Sequence, residues 1–195
     1  AASDVYKRQT LESVLRQTYL DIEHIIVDGG STDNTMELVR EYEPRYHGRL
    51  RYVSEPDKGI YDAMNKGIRM ATGDIIGILN SDDFYTSSDI VEILAGELKE
   101  NHVDAVYGDI HYVDGKDLDK SIRYYSSAGF RRWKMLLGFM PAHPSFYCRK
   151  ETYERFGLFR TSYKVAADFE NLLRLIYVGT VSYTHLRAHE TLANL

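Results

Sequence analysis

The chain has 195 residues, enough for one substantial domain and too few for two ordinary ones. Its 44% hydrophobic and 27% charged residues exclude a disordered chain, and its longest apolar runs, such as 75–79 and 135–140, fall far short of the roughly 20 residues of a spanning helix. With 24 basic against 29 acidic residues, the net charge of −5 argues against nucleic acid as a partner.

Residues 1–9, AASDVYKRQ, show no clear apolar period, residues 181–195, VSYTHLRAHETLANL, follow the Gly179 stop without a recognisable element, and both resemble translated adapter sequence. They are expected to be non-native ends around a domain at 10–180 and to start no element of their own. Between them, strand and helix alternate. Leu11, Val14, Leu15 and Thr18 fall on one helical face. Ile22 to Val27 is an apolar strand stopped by Asp28-Gly29-Gly30. Asn34, with Glu37 three residues on, predicts a capping box and a helix through Tyr42. Leu50 to Ser54 is a second strand, followed by the turn Glu55-Pro56-Asp57-Lys58-Gly59.

Ile60, Met64, Ile68 and Ala71 form the stripe of the next helix, stopped at Gly73. Ile75 to Leu79 is a third strand, and Asn80-Ser81-Asp82-Asp83 follows at once. Ser88 is placed to cap a helix carrying Val91, Leu94 and Leu98, and Ala105 to Tyr107 is a fourth strand. Antiparallel pieces are expected near 110–113 and 121–125, a strand at 145–149, and a last helix with Phe169, Leu172, Leu173 and Ile176 on its face. This order predicts an α/β domain with a largely parallel sheet.

In open α/β sheets, ligands bind beyond the carboxyl ends of the strands. Two predicted strand ends here carry acids, Asp28 and the pair Asp82-Asp83. Neighbouring carboxylates are costly without a cation, and a hard divalent ion shared with a phosphate relieves that cost, Mg²⁺ or Mn²⁺ fitting best. Each feature also reads as a plain turn: Asp-Gly at 28–29, an acidic helix entry at 82–83. The 16 tyrosines suit a cleft that holds polar ligands.

The stretch from Thr10 to Gly179 resembles the family 2 glycosyltransferases. The resemblance rests on QTYLDIEHIIVDGGSTDNT (17–35), DKGIYDAMNKGIRMATGDII (57–76), LNSDD (79–83), YGDI (107–110), HPSFYCRK (143–150) and AADFENLLRL (166–175), in the family's order. It implies the GT-A fold, a mixed and mainly parallel sheet flanked by helices. It also implies an inverting, metal-assisted transfer from a nucleotide-sugar donor (UDP-, GDP- or dTDP-linked) to an acceptor hydroxyl of a saccharide or lipid-linked precursor, as in bacterial envelope polysaccharide synthesis. By the same resemblance, Asp28 contacts the donor nucleoside. Asn80-Ser81-Asp82 stands for the family's D-x-D, with Asp82 as metal ligand and Asn80 keeping a hydrogen-bonding role without charge. Asp168 is the general base. The family's apolar first strand, between those ending at Asp28 and Asn80, has no counterpart before Thr10, so a truncated, unstable and inactive piece is expected.

Other positions keep two readings. Lys58 approaches the donor phosphates at a helix N-terminus or is a solvated turn lysine. Asp83 assists the metal through water or caps the following turn. Asp168 is also placed as an N-cap for a helix starting at Phe169. His143 lines the acceptor side or is structural. Arg131 to Leu137 rests on an anionic membrane surface or is a core-facing helix with a basic edge. His185 and His189 have metal-ligand spacing within an end otherwise set aside. The lone Cys148 reads as packed and inert and, with no partner for a disulfide, suggests a reducing, cytoplasmic setting, at the inner face of the membrane if a bilayer is involved. A sugar nucleotidyltransferase of related fold and a non-catalytic nucleotide-sugar-binding fragment are the alternatives.

Overall fold

The computed structural model describes residues 4–115, 117–186 and 191–194. Helix α1 (Asp4–Leu15) leads to β1 (His24–Asp28), α2 (Thr35–Tyr42), β2 (Leu50–Ser54), α3 (Ile60–Met70), β3 (Ile75–Gly77), β4 (Phe84–Tyr85) and α4 (Ile90–Glu100). Then come β5 (Ala105–Tyr107), β6 (Asp109–Asp114), β7 (Asp117–Tyr125), β8 (Tyr147–Arg149), α5 (Lys150–Phe156), α6 (Ala167–Leu172), β9 (Tyr183–His185) and β10 (Thr191–Asn194). Strands and helices thus follow the expected alternation. None of the helices among the described residues is long and apolar enough to cross a membrane.

The strands form three sheets: β1–β2, β3–β8–β5–β9 and β4–β10–β6–β7. β1 and β2 are parallel, His24 opposite Leu50 through Asp28 opposite Ser54. β8 runs antiparallel between β3 and β5. The sheet is thus mixed, as the expected fold class implies, and the connection explains the direction of this strand. The chain reaches β8 after the antiparallel β6–β7 excursion, not by a crossover helix, and so enters from the opposite end. Gly77 makes this pairing fit, because a Cβ there would overlap the Tyr147 ring.

Several local expectations are corrected. The Asn34 side chain turns to Asp4 and makes no capping bond, while Asp33 accepts from the Thr35 amide at 3.0 Å. α1 begins at Asp4, six residues before Thr10, its first turns held by Lys7–Asp33 (3.0 Å) and Arg8–Glu41 (2.9 Å). Met64 and Ile68 of α3 and Ala71 just after it meet the core as expected, but Ile60 is exposed and Asn65 is buried. Asp89, not Ser88, precedes α4. The C-terminal end starts two strands where none was expected. β9 adds to the open edge of β5, burying Val181 and Leu186, and β10 lies between β4 and β6. Segment 131–137 is a 3₁₀ helix from Arg132 that buries Met135 and leaves Trp133, Leu136 and Leu137 exposed, so it is not core-facing. Cys148 is fully buried, its thiol pushed up to about 12 by burial, as expected of an inert cysteine. His189 lies outside the described residues.

Candidate active site

β1 ends at Asp28, which is 7% exposed. Its Oδ2 accepts from the amides of Gly30 (3.1 Å) and Ser31 (2.9 Å) and from the Ser54 hydroxyl (2.6 Å), and its Oδ1 from the Ser31 hydroxyl (2.5 Å). Burial alone pushes this carboxyl's pKa up, but the bonds from Ser31, Ser54 and Gly30 outweigh burial and bring it down. Asp28 therefore stays ionised and first of all fixes its own turn. Only Oδ1, with a single donor, keeps acceptor capacity for a ligand. The next turn packs directly on this one. The Glu55 amide donates to the Asp28 carbonyl at 3.0 Å, and a Cβ on Gly29 would sit 2.6 Å from Asp57 Oδ2. Lys58 is exposed in that second turn, and its ammonium has no partner among the described residues.

Beyond β3, Asn80 and Asp82 are half-buried, whereas Asp83 is fully buried. The Asn80 side-chain amide donates to Asp83 Oδ2 at 2.6 Å, and the Thr10 hydroxyl donates to the Asp83 carbonyl at 2.8 Å. Asp83 thus clamps the loop from inside. It also explains why Asn stands at 80: a carboxylate there would face a buried carboxylate, where the amide donates to it instead. Asn80→Asp is expected to lower stability at neutral pH by about 2 kcal/mol. Adding Asp83→Asn, which restores a carboxylate–amide pair, should recover much of that loss in thermal melts. Losses that simply add would show that the pair is not a clamp.

Asp168 is half-buried and lies within the first turn of α6, not ahead of it, because the helix starts at Ala167 after the left-handed Ala166 (φ 63°). The Tyr61 hydroxyl, from the first turn of α3, donates to Asp168 Oδ1 at 3.3 Å. Asn65, one turn further along α3, holds both backbone groups of Phe159: its amide donates to the carbonyl at 2.8 Å and its Oδ1 accepts from the N–H at 2.9 Å. Arg174 ties down the same segment, donating to the carbonyls of Gly157 (2.7 Å) and Leu158 (2.8 Å). Tyr61, Asn65 and Arg174 were not foreseen from the sequence. The available signal was a polar Asn four residues from Tyr61 on a helix face that also carries Ile68.

His143 is buried in a short 3₁₀ turn against α6, its ring edge-on to Phe159 with centroids 5.5 Å apart. Burial pulls its pKa down and the charge of Asp168 opposes this only in part, so the imidazole is neutral. The pairing of Gly77 with Tyr147 brings the start of β8, just after His143, beside the end of β3, just before Asn80. The sites therefore form one connected rim: the Asp28 turn, the 55–59 turn with Lys58, Tyr61, Asp168, His143 and the 80–83 loop.

Asp82 makes no hydrogen bond or ion pair with the described residues, which hold no cluster of three or more metal-ligating side chains. A divalent cation fits here only as one shared between Asp82 and oxygens of a bound ligand, the arrangement Mg²⁺ and Mn²⁺ adopt with phosphates.

A family model described as Glycosyl transferase family 2 matches residues 6–156. A PGL/p-HBAD biosynthesis glycosyltransferase of Mycobacterium bovis is 31% identical over 165 residues, 84% of this chain and 62% of that protein. An uncharacterized glycosyltransferase of Mycobacterium tuberculosis is 33% identical over 181 residues, 88% of this chain and 64% of that one. The chain thus spans somewhat under two thirds of these relatives. Among solved structures, S. aureus TarS superposes with a TM-score of 0.79 at 18% identity, covering 98% of this chain and 34% of that one. The mannosyltransferase PcManGT of Pyrobaculum calidifontis, in complex with GDP-Man and Mn²⁺, gives 0.74 at 22%, covering 98% and 53%. These likenesses show a shared fold.

Proposed function

This chain belongs to glycosyltransferase family 2, and from that premise we propose that it moves a sugar from a nucleoside-diphosphate donor to an acceptor hydroxyl with inversion. The observation that carries the proposal is the half-buried Asp168, tied by Tyr61 to the same rim as the two strand-end loops.

Asp168 takes the proton of the acceptor hydroxyl as its oxygen bonds the anomeric carbon. The bond from that carbon to the diphosphate breaks, and the nucleoside diphosphate leaves with the electron pair. Direct displacement at one face inverts the centre. Tyr61 is a positioning residue, its hydroxyl on Oδ1 fixing the carboxylate while Oδ2 remains for the acceptor. Asp82, with diphosphate oxygens, would hold Mg²⁺ or Mn²⁺, which when bound supplies Lewis-acid stabilisation of the leaving group. The Asn80 side-chain oxygen, its amide nitrogen committed to Asp83, is left to accept from a ribose hydroxyl. Asp28 Oδ1 accepts from the nucleoside, and Lys58 approaches the phosphates beside the N-terminus of α3.

A nucleotide-sugar donor is supported by the folds this chain shares, which have been solved with UDP, UDP-GlcNAc and GDP-Man. The acceptor is a saccharide or a glycolipid precursor, and the setting is the cytoplasm, where Cys148 stays reduced. The test incubates the full chain with UDP-, GDP- and dTDP-sugars, Mn²⁺ and saccharide or lipid acceptors, following the products. Glycosylated acceptor plus nucleoside diphosphate supports transfer. In a parallel sample of nucleoside triphosphate and sugar 1-phosphate, pyrophosphate released with a nucleotide-sugar would make the protein a nucleotidyltransferase, and binding without turnover in either sample a non-catalytic module.

A further inference from the structure

Between Ser126 and Cys148 the chain carries Arg131, Arg132 and Lys134 and no acidic residue, although its net charge is −5. On the 3₁₀ helix Arg132–Leu137 and just after it, Trp133 (58% exposed), Leu136 (63%), Leu137 (64%) and Phe139 (59%) project outward, and Met135 alone is buried. The helix packs on residues 173–178, where Arg132 lies over the Tyr177 ring and Val178 is exposed beside it. Four large apolar side chains within seven residues leave a continuous patch that a solitary soluble surface does not keep without an occupant.

We propose that this surface docks on an anionic lipid bilayer. The charge pattern selects that occupant: cations flank the apolar groups, as on interfacial helices whose Trp, Leu and Phe enter the acyl boundary while Arg and Lys meet headgroups. Arg131, Arg132 and Lys134 donate to the carbonyls of Phe130, Tyr177 and Gly129 but have no carboxylate partner among the described residues, so a purely apolar partner would leave their charge uncompensated, and an acidic protein would leave Leu136 and Leu137 unmatched. The placement has a consequence for the site. Phe139 precedes His143 by four residues, so the bilayer would lie beside the end of the rim where Asp168 sits. That the bilayer thereby delivers a lipid-linked acceptor rests on the transfer reaction proposed above, whereas the docking does not.

The test is co-sedimentation of the full chain with phosphatidylcholine vesicles, with and without phosphatidylglycerol. Nucleoside-diphosphate titration of the same samples runs alongside. Three cations near the surface predict binding about 10- to 100-fold tighter to the anionic vesicles, weakened by salt. Trp133→Ser with Leu136→Ser and Leu137→Ser, all at exposed positions, should lower that binding by at least about 10-fold, with unchanged melting and nucleotide affinity. Equal sedimentation of variant and parent, or no preference for anionic lipid, overturns the docking while leaving the reaction to stand on its own titration. A vesicle-free, concentration-dependent dimer that the variant lacks would also overturn it, assigning the patch to a second copy.

Discussion

Asp168→Asn is expected to lower kcat by about 10²–10⁴-fold, the usual worth of a positioned general base, while leaving donor affinity nearly unchanged. The amide keeps the shape of the carboxylate, and its oxygen can still accept from the Tyr61 hydroxyl, but it cannot take the acceptor's proton. The measurement is kcat and donor KM for both proteins. A large fall in donor affinity instead would make Asp168 a structural acid of α6. Near-normal turnover would move proton acceptance elsewhere on the rim, with His143 the first residue to test.

Asp82→Ala carries the second large effect. Asp82 has no hydrogen bond or ion pair with the described residues, so removing it breaks no structural contact. What it removes is the single protein charge that would share a divalent ion with the diphosphate. A contact of that charge-assisted kind is worth about 1.5–3 kcal/mol, or roughly 10- to 100-fold in affinity. Nucleoside-diphosphate binding measured by calorimetry in Mn²⁺ should fall by that factor, and chelator should bring the parent protein to the same level. Binding of the parent that chelator leaves untouched would remove the cation from the reading.

Much of this arrangement is legible in the sequence because it is local. Asp28 and the Asn80–Asp83 loop each follow an apolar run at once, so placing the run as a strand places the acid at its end. The contacts that organise Asp168 are of the other kind. Tyr61 and Asp168 are 107 positions apart, and Asn65 and Phe159 are 94 apart. No spacing rule links such pairs, which meet only once β8 has run antiparallel and brought α6 against α3. The 131–137 segment misleads for a different reason. Its apolar residues imply burial, yet a 3₁₀ helix of six residues has two positions on a face, here Arg132 and Met135, and only Met135 is apolar and buried. The C-terminal strands escape detection because edges elsewhere in the fold, not the segment's own pattern, decide their pairing: β5 for β9, and β4 and β6 for β10.

The separation of β1–β2 from β3–β8–β5–β9 gives donor binding a second meaning. No strand among the described residues bonds β1 to β3, so the Asp28 turn and the 80–83 loop belong to sheets that the backbone does not join. A two-stranded unit is marginal by itself, so amide protons of β1 and β2 should exchange with solvent earlier than those of β5 and β8. A nucleotide held as proposed, by Asp28 at one end and Asp82 at the other, would act as a brace across that seam. By linkage, its binding energy then becomes cohesion of the fold, and slower exchange at Ile25 to Val27 on adding nucleotide would register the two halves being drawn into one unit.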